Sequence, residues 1–288
     1  MDEFRERIGN TLRIEDNKLL RELLAECIGT FFLLLIGTAA NVQAAAAVGG
    51  NSTSAHIAWG IGFMFAVYLA ASVSGAHLNP AISVAQCILG NIPGWKVFLY
   101  SIAQLIGAYL GTAVSYFGHH DDLWKLDGGI RQVTGPQGTA GLFTTFPSSY
   151  MSTWGSLLDQ VFTETLTTIF FFKNSQKTAQ DPFWFRHGRE VHCRFSNGGF
   201  AINPARDLGP RLFVLCAGYG WQVFSAYGFY FWIPIVGPLI GAVLGAWIYK
   251  LFVGLHGLSE ELEVSSKGYN VSLPVYTSGD VHVKTRVG

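Results

Sequence analysis

The chain has 288 residues, of which 50% are hydrophobic and only 13% are charged, with 19 basic and 19 acidic side chains. Soluble proteins average about 25% charged residues, so this depletion indicates a protein that lies in a membrane. A formal net charge of zero argues against a nucleic-acid partner. The four cysteines are scattered without a close pair, which indicates neither a disulfide framework nor a zinc site.

Three apolar stretches in the first half are long enough to cross a bilayer. Residues 27–48 form an uncharged run of 22 residues. At about 1.5 Å per residue it spans a hydrocarbon layer of about 30 Å. Residues 57–76 and 97–118 predict the second and third spans. Between these two, the apolar residues 82–89 are too short to cross and predict a re-entrant half-helix, which requires burial in protein or contact with a pore.

The second half of the chain is less regular. Residues 119–156 are polar and contain Gly, Thr and Pro, which predicts a long loop. Residues 157–172 predict a fourth span that includes Asp159 and Glu164, and residues 229–253 predict a strong last span.

Basic residues set the expected orientation of the first span. Five of them precede it, whereas residues 49–55, which follow it, contain none. The positive-inside rule therefore places the N-terminus in the cytosol. The five are Arg5, Arg7, Arg13, Lys18 and Arg21.

The tripeptide Asn-Pro-Ala occurs twice in apolar surroundings, once in each half of the chain. Asn is a favoured N-cap and Pro fits the first helical position, so each copy predicts the start of a short helix. A helix that begins at membrane depth points its unpaired N–H groups and its positive dipole end at the space before it. Two such ends are how transport proteins build a polar site in a bilayer, whereas an Asn-Pro turn at the surface is the alternative. The copies are Asn79-Pro80-Ala81 and Asn203-Pro204-Ala205.

The chain resembles the aquaporin family over about residues 22–172 and 198–254. The resemblance is carried by the two Asn-Pro-Ala boxes, by AECIGT at the start of the first span and by SGAHLNPA. Within the family the chain is similar to the glycerol-conducting branch, the aquaglyceroporins. The features that point to this branch are Asp207 directly after Arg206, Arg211 in DLGPR, Pro234-Ile235 in the last span, and VTGPQGTAGLFTTFP in the long loop.

The resemblance implies an all-α membrane protein with an inverted-repeat bundle of six spans and two re-entrant half-helices. It also implies a homotetramer in the plasma membrane with one pore per subunit. Each pore would be a passive channel for glycerol, water and other small neutral solutes such as urea, with no cofactor, no metal and no enzymatic activity. The expected division is a cytosolic segment at 1–21, a channel domain at 22–256 with repeats at about 22–118 and 157–256, and a polar tail at 257–288.

The resemblance assigns roles in the pore. Asn79 and Asn203 are expected to meet near the membrane midplane with their amide donors facing the lumen, where a passing hydroxyl or water oxygen accepts from both. Further out, Trp59, Phe200 and Arg206 are expected to line a narrow filter. Two aromatic faces suit the CH₂ edge of a polyol, and a guanidinium donates to its hydroxyls. Packed or lipid-facing aromatic residues are the alternative for Trp59 and Phe200, whereas an arginine at membrane depth indicates function.

Three acidic residues are expected to be structural. Glu26 and Glu164 take matching places at the start of the two halves and are expected to accept N–H bonds from the loop backbone beside each half-helix. Asp207 is expected to pair with a neighbouring donor.

The second half departs from the family pattern in one stretch. Glu26 precedes Asn79 by 53 residues, but Glu164 precedes Asn203 by only 39. Residues 173–197, which stand where the fifth span should be, are rich in Lys, Arg, Asp and Glu. Each Arg, Lys or Asp at the centre of a span costs about 2.5–3.5 kcal/mol, so the fifth span is predicted to be degenerate or missing.

Two hypotheses follow from this departure. The chain is either a working aquaglyceroporin or a non-conducting splice isoform that assembles with conducting subunits and modulates them. If the fifth crossing is lost, Asn203 should enter from the cytosolic side and the last span should run in the wrong direction.

Overall fold

The computed structural model describes residue 14 and residues 16–174 and 199–256. The tail at 257–288 lies outside this part, as does the charged stretch at 173–197 apart from the backbone of its first two residues. The described residues form helices and connecting loops without β-strands. The α-helices are α1 (Lys18–Ala45), α2 (Ser52–Ser74), α3 (Pro80–Ile88), α4 (Gly94–Gly118), α5 (His120–Asp127), α6 (Thr153–Asn174), α7 (Pro204–Val214), α8 (Gln222–Phe229) and α9 (Ile233–Tyr249).

Short 3₁₀ and π-helical turns join some of these helices and extend the last apolar segment. Four helical segments of the described chain are long and apolar enough to cross a membrane: Lys18–Ala45, Ser52–Ser74, Gly94–Gly118 and Gln222–Gly254. The last of these contains α8, α9 and the turns beside them, and it bends where Tyr227 and Gly228 leave helical geometry. The 3₁₀ turns are Ala140–Leu142 and Tyr230–Trp232, and the π turns are Leu215–Tyr219 and Lys250–Gly254.

The first span and the long loop differ most from the sequence predictions. Helix α1 starts nine residues before the predicted residue 27, because the Asn17 side chain accepts from the Leu20 N–H at 3.0 Å and caps it there. The predicted loop at 119–156 contains α5, which buries Leu123 and ends at Gly128 in the left-handed conformation. A single two-turn helix carries too weak a periodic signal to be read from composition.

Glycines on α4 bring this helix into backbone contact with α1. A Cβ added at Gly107 would lie 2.1 Å from the Cys27 carbonyl oxygen, and one at Gly111 would lie 2.2 Å from that of Phe31. Both residue numbers rise together along the contact, so α1 and α4 run parallel.

Helices α6 and α9 repeat this arrangement. A Cβ at Gly241 would lie 2.4 Å from the Val161 carbonyl oxygen, and one at Gly245 would lie 2.6 Å from that of Thr165. Each of these four residues lies 134 positions after its counterpart in the α1–α4 pair. This constant offset relates the two repeats.

The two half-helices start together and run in opposite directions along α4. The Asn203 side chain at the start of α7 donates to the Leu78 carbonyl beside the start of α3, at 2.7 Å. The far end of α3 approaches the first residue of α4, where a Cβ on Gly94 would lie 3.9 Å from the Cys87 sulfur. The far end of α7 lies near the other end of α4, where the Phe213 ring is 6.1 Å from that of Phe117.

The described chain stops at one end of the bundle and resumes at the other. Near the end of α6, the Phe171 ring lies 6.2 Å from that of His77, which is 5.1 Å from Tyr100 in the first part of α4. A Cβ on Gly199 would instead lie 2.6 Å from the carbonyl oxygen of Phe146, in the loop that follows α5. Asn203 is therefore approached from the opposite end to Asn79.

The loop that receives Gly199 lies at the far end of α4. The Phe143 ring in that loop is 5.7 Å from Tyr116. At the near end, Tyr249 at the end of α9 stacks on Phe172 of α6 at 5.8 Å. Residues 199–256 thus have the placement expected of a complete six-span bundle, and the last span does not run in the wrong direction.

Candidate functional site

The loop before α3 is held by the carboxylate of Glu26. Ala76 and Leu78 have φ of 49° and 53°, which is costly for residues other than glycine and persists only where contacts impose it. Glu26 accepts from the His77 N–H at 2.8 Å and from the Leu78 N–H at 2.6 Å. It also accepts from Ser74 Oγ at 2.6 Å and Gln104 Nε2 at 2.8 Å.

The loop before α7 has the same backbone but a different acceptor. Phe200 and Ile202 have φ of 51° and 46°, at the same two positions relative to the asparagine. Here the side-chain oxygen of Gln160 accepts from the Ala201 N–H at 3.1 Å and from the Ile202 N–H at 2.9 Å. Gln160 lies 134 residues after Glu26, which is the offset that relates the repeats.

The expected pairing of Glu26 with Glu164 is therefore wrong. Gln160 is the counterpart of Glu26, and Glu164 takes the position of Thr30, one helical turn further along. Glu26 and Glu164 had been matched between the two halves of the chain because both are acidic. The loop requires only an acceptor oxygen, which an amide also supplies. With Gln160 as reference, the second repeat is 10 residues short of the first rather than 14.

Each asparagine caps its own half-helix. The Asn79 side-chain oxygen accepts from the Ala81 N–H at 2.8 Å, and that of Asn203 accepts from the N–H groups of Ala205 at 2.9 Å and Arg206 at 3.2 Å. Pro80 and Pro204 occupy the first turns, where a missing N–H costs nothing. The positive ends of both half-helices thus meet at one point.

The amide donors at this junction are used unequally. Asn203 donates to the Leu78 carbonyl and keeps a second N–H with no partner assigned among the described residues. Asn79 donates to the Ile202 carbonyl and to Glu164 Oε1, both at 3.1 Å, so both of its N–H groups are engaged. These contacts leave Asn203 an amide N–H for a passing solute, whereas Asn79 keeps none, and the expected orientation of the amides toward the lumen stays a prediction.

The three expected filter residues come together beyond this junction. Trp59, Phe200 and Arg206 line a cavity of about 250 Å³ and are each less than a tenth exposed. The Arg206 guanidinium lies 4.6 Å from the centre of the Trp59 ring, within cation–π range, and donates to the Phe143 carbonyl at 3.0 Å. These contacts leave an aromatic wall and a cationic donor facing the same space.

Polar residues that the sequence reasoning missed complete the cavity. Asn41 on α1 accepts from the Trp59 indole N–H at 3.0 Å and fixes the ring, and it donates to the Leu142 carbonyl at 2.9 Å. His56 and Thr144 also line the space. An asparagine inside an otherwise apolar span was the available signal for Asn41.

Asp207 and Arg211 form a fully buried ion pair on α7. Arg211 Nε lies 2.8 Å from Asp207 Oδ2, and Asp207 Oδ1 accepts from Thr144 Oγ1 at 2.8 Å and the Thr145 N–H at 2.9 Å. Arg211 also donates to the carbonyl of Thr145 at 2.7 Å and to that of Val223. The pair therefore joins α7 to the loop that carries one wall of the cavity.

The other two markers of the glycerol-conducting branch lie on α9. Pro234 is buried in its first turn. Ile235 lines an apolar cavity of about 290 Å³ together with Pro80 and Pro204. Neither residue reaches the polar cavity at Trp59.

Comparisons with known proteins agree with this architecture. A family model described as Major intrinsic protein matches residues 13–249. Aquaporin-10 of Homo sapiens is 38% identical over 251 residues, which cover 83% of this chain and 82% of that protein. Aquaporin-2 of Milnesium tardigradum is 37% identical over 268 residues, which cover 89% of this chain and 83% of that protein.

A solved structure shares the fold. The X-ray structure of the aquaglyceroporin from Plasmodium falciparum matches with a TM-score of 0.71 and 26% identity, over 82% of this chain and 98% of that chain. Together with the apolar helices, these matches identify an integral membrane protein. The chain belongs to the major intrinsic protein family, the aquaporins, which are membrane channels and not enzymes.

Proposed function

We propose that this protein is a passive channel for glycerol, water and other small neutral solutes, including urea. The observation that carries the proposal is the cavity in which Trp59, Phe200 and Arg206 meet. An aromatic surface receives the CH₂ edge of a polyol while the guanidinium donates to its hydroxyls. The solute next accepts a hydrogen bond from the remaining N–H donor of Asn203. The positive ends of the two half-helices at this junction disfavour cations.

The ion pair on α7 supports a polyol pore indirectly. Asp207 neutralises Arg211 and holds the Thr144–Thr145 wall, so Arg206 is left as the charge that faces the cavity. The related protein from Plasmodium falciparum is itself described as an aquaglyceroporin. Asp207 and Arg211 thus shape the wall of the pore rather than touch the solute.

We also propose a homotetramer in the plasma membrane with one pore per subunit and a cytosolic N-terminus. Three basic residues before α1 and two in its first turn, Lys18 and Arg21, support this orientation. The start of α1, where Glu22 and Lys96 form an ion pair at 2.5 Å, lies at the same end as Tyr249. We therefore expect the sequon Asn270-Val-Ser to stay unmodified, with no gel shift on Asn270→Gln. A glycan at Asn270 would contradict this orientation.

Swelling of proteoliposomes in a glycerol gradient tests the channel directly. Vesicles with correctly inserted protein should be several times more permeable to glycerol than empty vesicles. Trp59→Leu should change the ratio of glycerol to water permeability severalfold, because it removes the ring that Arg206 and Asn41 hold in place. Trp95→Leu, at a residue that is 58% exposed, is the matched control and should leave the ratio unchanged.

The same assay addresses the non-conducting alternative. Glycerol permeability equal to that of empty vesicles, with inserted protein, would reject the channel proposal. Reconstitution of this chain together with a conducting aquaglyceroporin would then measure whether it modulates that partner.

A further inference from the structure

One turn of the long loop holds two of the three filter residues. This filter turn, the 3₁₀ helix Ala140–Leu142, also lines the cavity through its middle glycine. Its last carbonyl accepts from Asn41, whose side-chain oxygen accepts in turn from the Trp59 indole N–H. The carbonyl of the next residue, Phe143, accepts from Arg206. The position of the filter turn therefore determines where both the Trp59 ring and the Arg206 guanidinium lie.

The residue directly before the filter turn, Thr139, is bonded to a buried carboxylate at the end of α5. Its hydroxyl donates to Asp127 Oδ2 at 2.9 Å and lies 2.7 Å from the Tyr219 hydroxyl. A hydroxyl has one hydrogen and a carboxylate can only accept, so Tyr219 is the donor to Thr139. The Thr139 carbonyl accepts from the Leu142 N–H at 3.1 Å and closes the turn. Thr139 therefore joins the filter turn to α5 and to the π turn that follows α7.

The Asp127 carboxylate is itself held in place by an ion pair. It is fully buried, and both of its oxygens lie 2.6 Å from Arg131 Nη1. Arg131 Nε donates to the Tyr116 hydroxyl at 2.7 Å. The Tyr116 ring lies 5.7 Å from that of Phe143, directly after the filter turn. Contacts therefore run from this ion pair to both ends of the turn.

The groups that hold the filter turn do not touch the space in which a solute would pass. Asp127, Thr139 and Tyr219 are not among the described residues that line the cavity. Loss of their contacts would act on a solute only through displacement of the turn. Such a displacement affects glycerol more than water, because the hydroxyls of glycerol need several well-aligned hydrogen bonds and a single water oxygen needs fewer.

We propose that Asp127 and Thr139 are positioning residues of the filter, because the hydrogen bond between them fixes the turn that presents its carbonyls to Asn41 and Arg206. This inference rests on the proposed channel function and adds to it a determinant of selectivity that lies outside the cavity. Removal of the Thr139 hydroxyl should release the turn while every residue that lines the cavity is retained.

Thr139→Val tests this bond, because it replaces the hydroxyl by a methyl group of similar size and leaves the Asp127–Arg131 pair in place. In proteoliposomes that contain the full chain, the ratio of glycerol to water permeability should fall about fivefold, the factor that one hydrogen bond is worth. Thr139→Ser retains the hydroxyl and should retain the wild-type ratio. Thr112→Val, at a buried hydroxyl that bonds to the Ala108 carbonyl within α4, is the matched control and should leave the ratio unchanged.

Hydrogen exchange of the Trp59 indole N–H gives a second readout, which does not depend on transport. Its NMR signal in detergent micelles is identified by its absence in Trp59→Phe. Exchange should be about fivefold faster in Thr139→Val than in Thr112→Val, because the Asn41 contact that protects this N–H depends on the filter turn. A general loss of stability would accelerate exchange equally in the two variants.

The two readouts separate failure of this inference from failure of the channel. An unchanged permeability ratio in Thr139→Val, with a wild-type protein that conducts glycerol, overturns the inference. If the wild-type protein does not conduct, the channel function is rejected, and equal exchange rates in Thr139→Val and Thr112→Val overturn the positioning role as well. If Thr139→Val does not insert, Thr139→Ala decides by the same measurements, since it removes the hydroxyl without adding a methyl group in its place.

Discussion

The two re-entrant loops adopt the same backbone through different chemistry. In both, the residues one and three positions before the asparagine have positive φ, and one side chain accepts from two successive N–H groups. The acceptor is a carboxylate with four donors in the first loop, Glu26, and an amide oxygen in the second, Gln160. The loop conformation therefore depends on an acceptor placed at one position and not on its charge.

In the half-helices that follow these loops, it is the second repeat that has the charged residues. When Asn79 is aligned with Asn203, Asp207 and Arg211 correspond to Ser83 and Cys87. The second repeat thus has a buried ion pair after its asparagine, whereas the first has its loop-holding carboxylate, Glu26, before its asparagine. Each repeat therefore has one buried charged site with several hydrogen bonds, Glu26 in the first and the Asp207–Arg211 pair in the second. These two sites lie on opposite sides of the junction.

The largest expected effect comes from separating the buried pair. Asp207→Asn leaves the Arg211 guanidinium buried without a counter-charge, which typically costs about 3–5 kcal/mol. The free energy of unfolding of the purified protein in mixed micelles should fall by about this amount. Asp121→Asn, at a fully exposed side chain on α5, should leave it unchanged. A loss below about 1 kcal/mol for Asp207→Asn would show that the pair does not anchor α7.

A smaller effect is expected for the difference in unfolding free energy between variants of the two loop acceptors, Glu26 and Gln160. Glu26→Ala removes the acceptor of four donors, namely the N–H groups of His77 and Leu78, the Gln104 amide and the Ser74 hydroxyl. Gln160→Ala removes the acceptor of only two, the N–H groups of Ala201 and Ile202. Each unpaired buried donor costs about 1–3 kcal/mol. Glu26→Ala should therefore lower the free energy of unfolding more than Gln160→Ala does.

Measurement of both variants under one set of conditions checks this order. Equal losses would mean that the backbone N–H pair alone determines the cost and that the side-chain donors around Glu26 find water or other acceptors. A larger loss for Gln160→Ala would contradict the order directly.

Much of this fold follows from local sequence signals. The Asn-Pro-Ala boxes predicted both half-helices because Asn caps and Pro begins a helix wherever they stand, and α3 and α7 indeed start at Pro80 and Pro204. The roles of Trp59, Phe200 and Arg206 came from a family resemblance, and the structure places the three at one cavity.

The correspondence between repeats was not readable from the sequence. It depends on which faces of α6 and α9 touch, and only the glycine contacts of the folded chain fix that register. With an unusual segment between α6 and Asn203, matching the starts of the two halves by their acidic residues selected Glu164 instead of Gln160. The unequal use of the Asn79 and Asn203 donors is a consequence of three-dimensional packing and left no trace in the motif itself.

The smallest expected effect uses the glycines that define this register. Gly107→Ala and Gly241→Ala both force a methyl group against a carbonyl oxygen of a parallel helix, at 2.1 and 2.4 Å before relaxation, and overpacking of this kind costs about 1–3 kcal/mol. Gly118→Ala, where nothing lies within 4 Å of the added carbon, is the control.

The two glycine variants should differ in transport although they resemble each other in stability. The methyl group at position 241 also lies 3.0 Å from Glu164 Cβ, whereas the one at position 107 faces the backbone of Cys27 and Phe31. Gly241→Ala should therefore shift Glu164, and with it the Asn79 amide that it holds at the junction, and lower the glycerol permeability, which Gly107→Ala should leave within a factor of about two. An equal change in both variants would mean that general loosening of the bundle, and not the position of Asn79, sets the permeability.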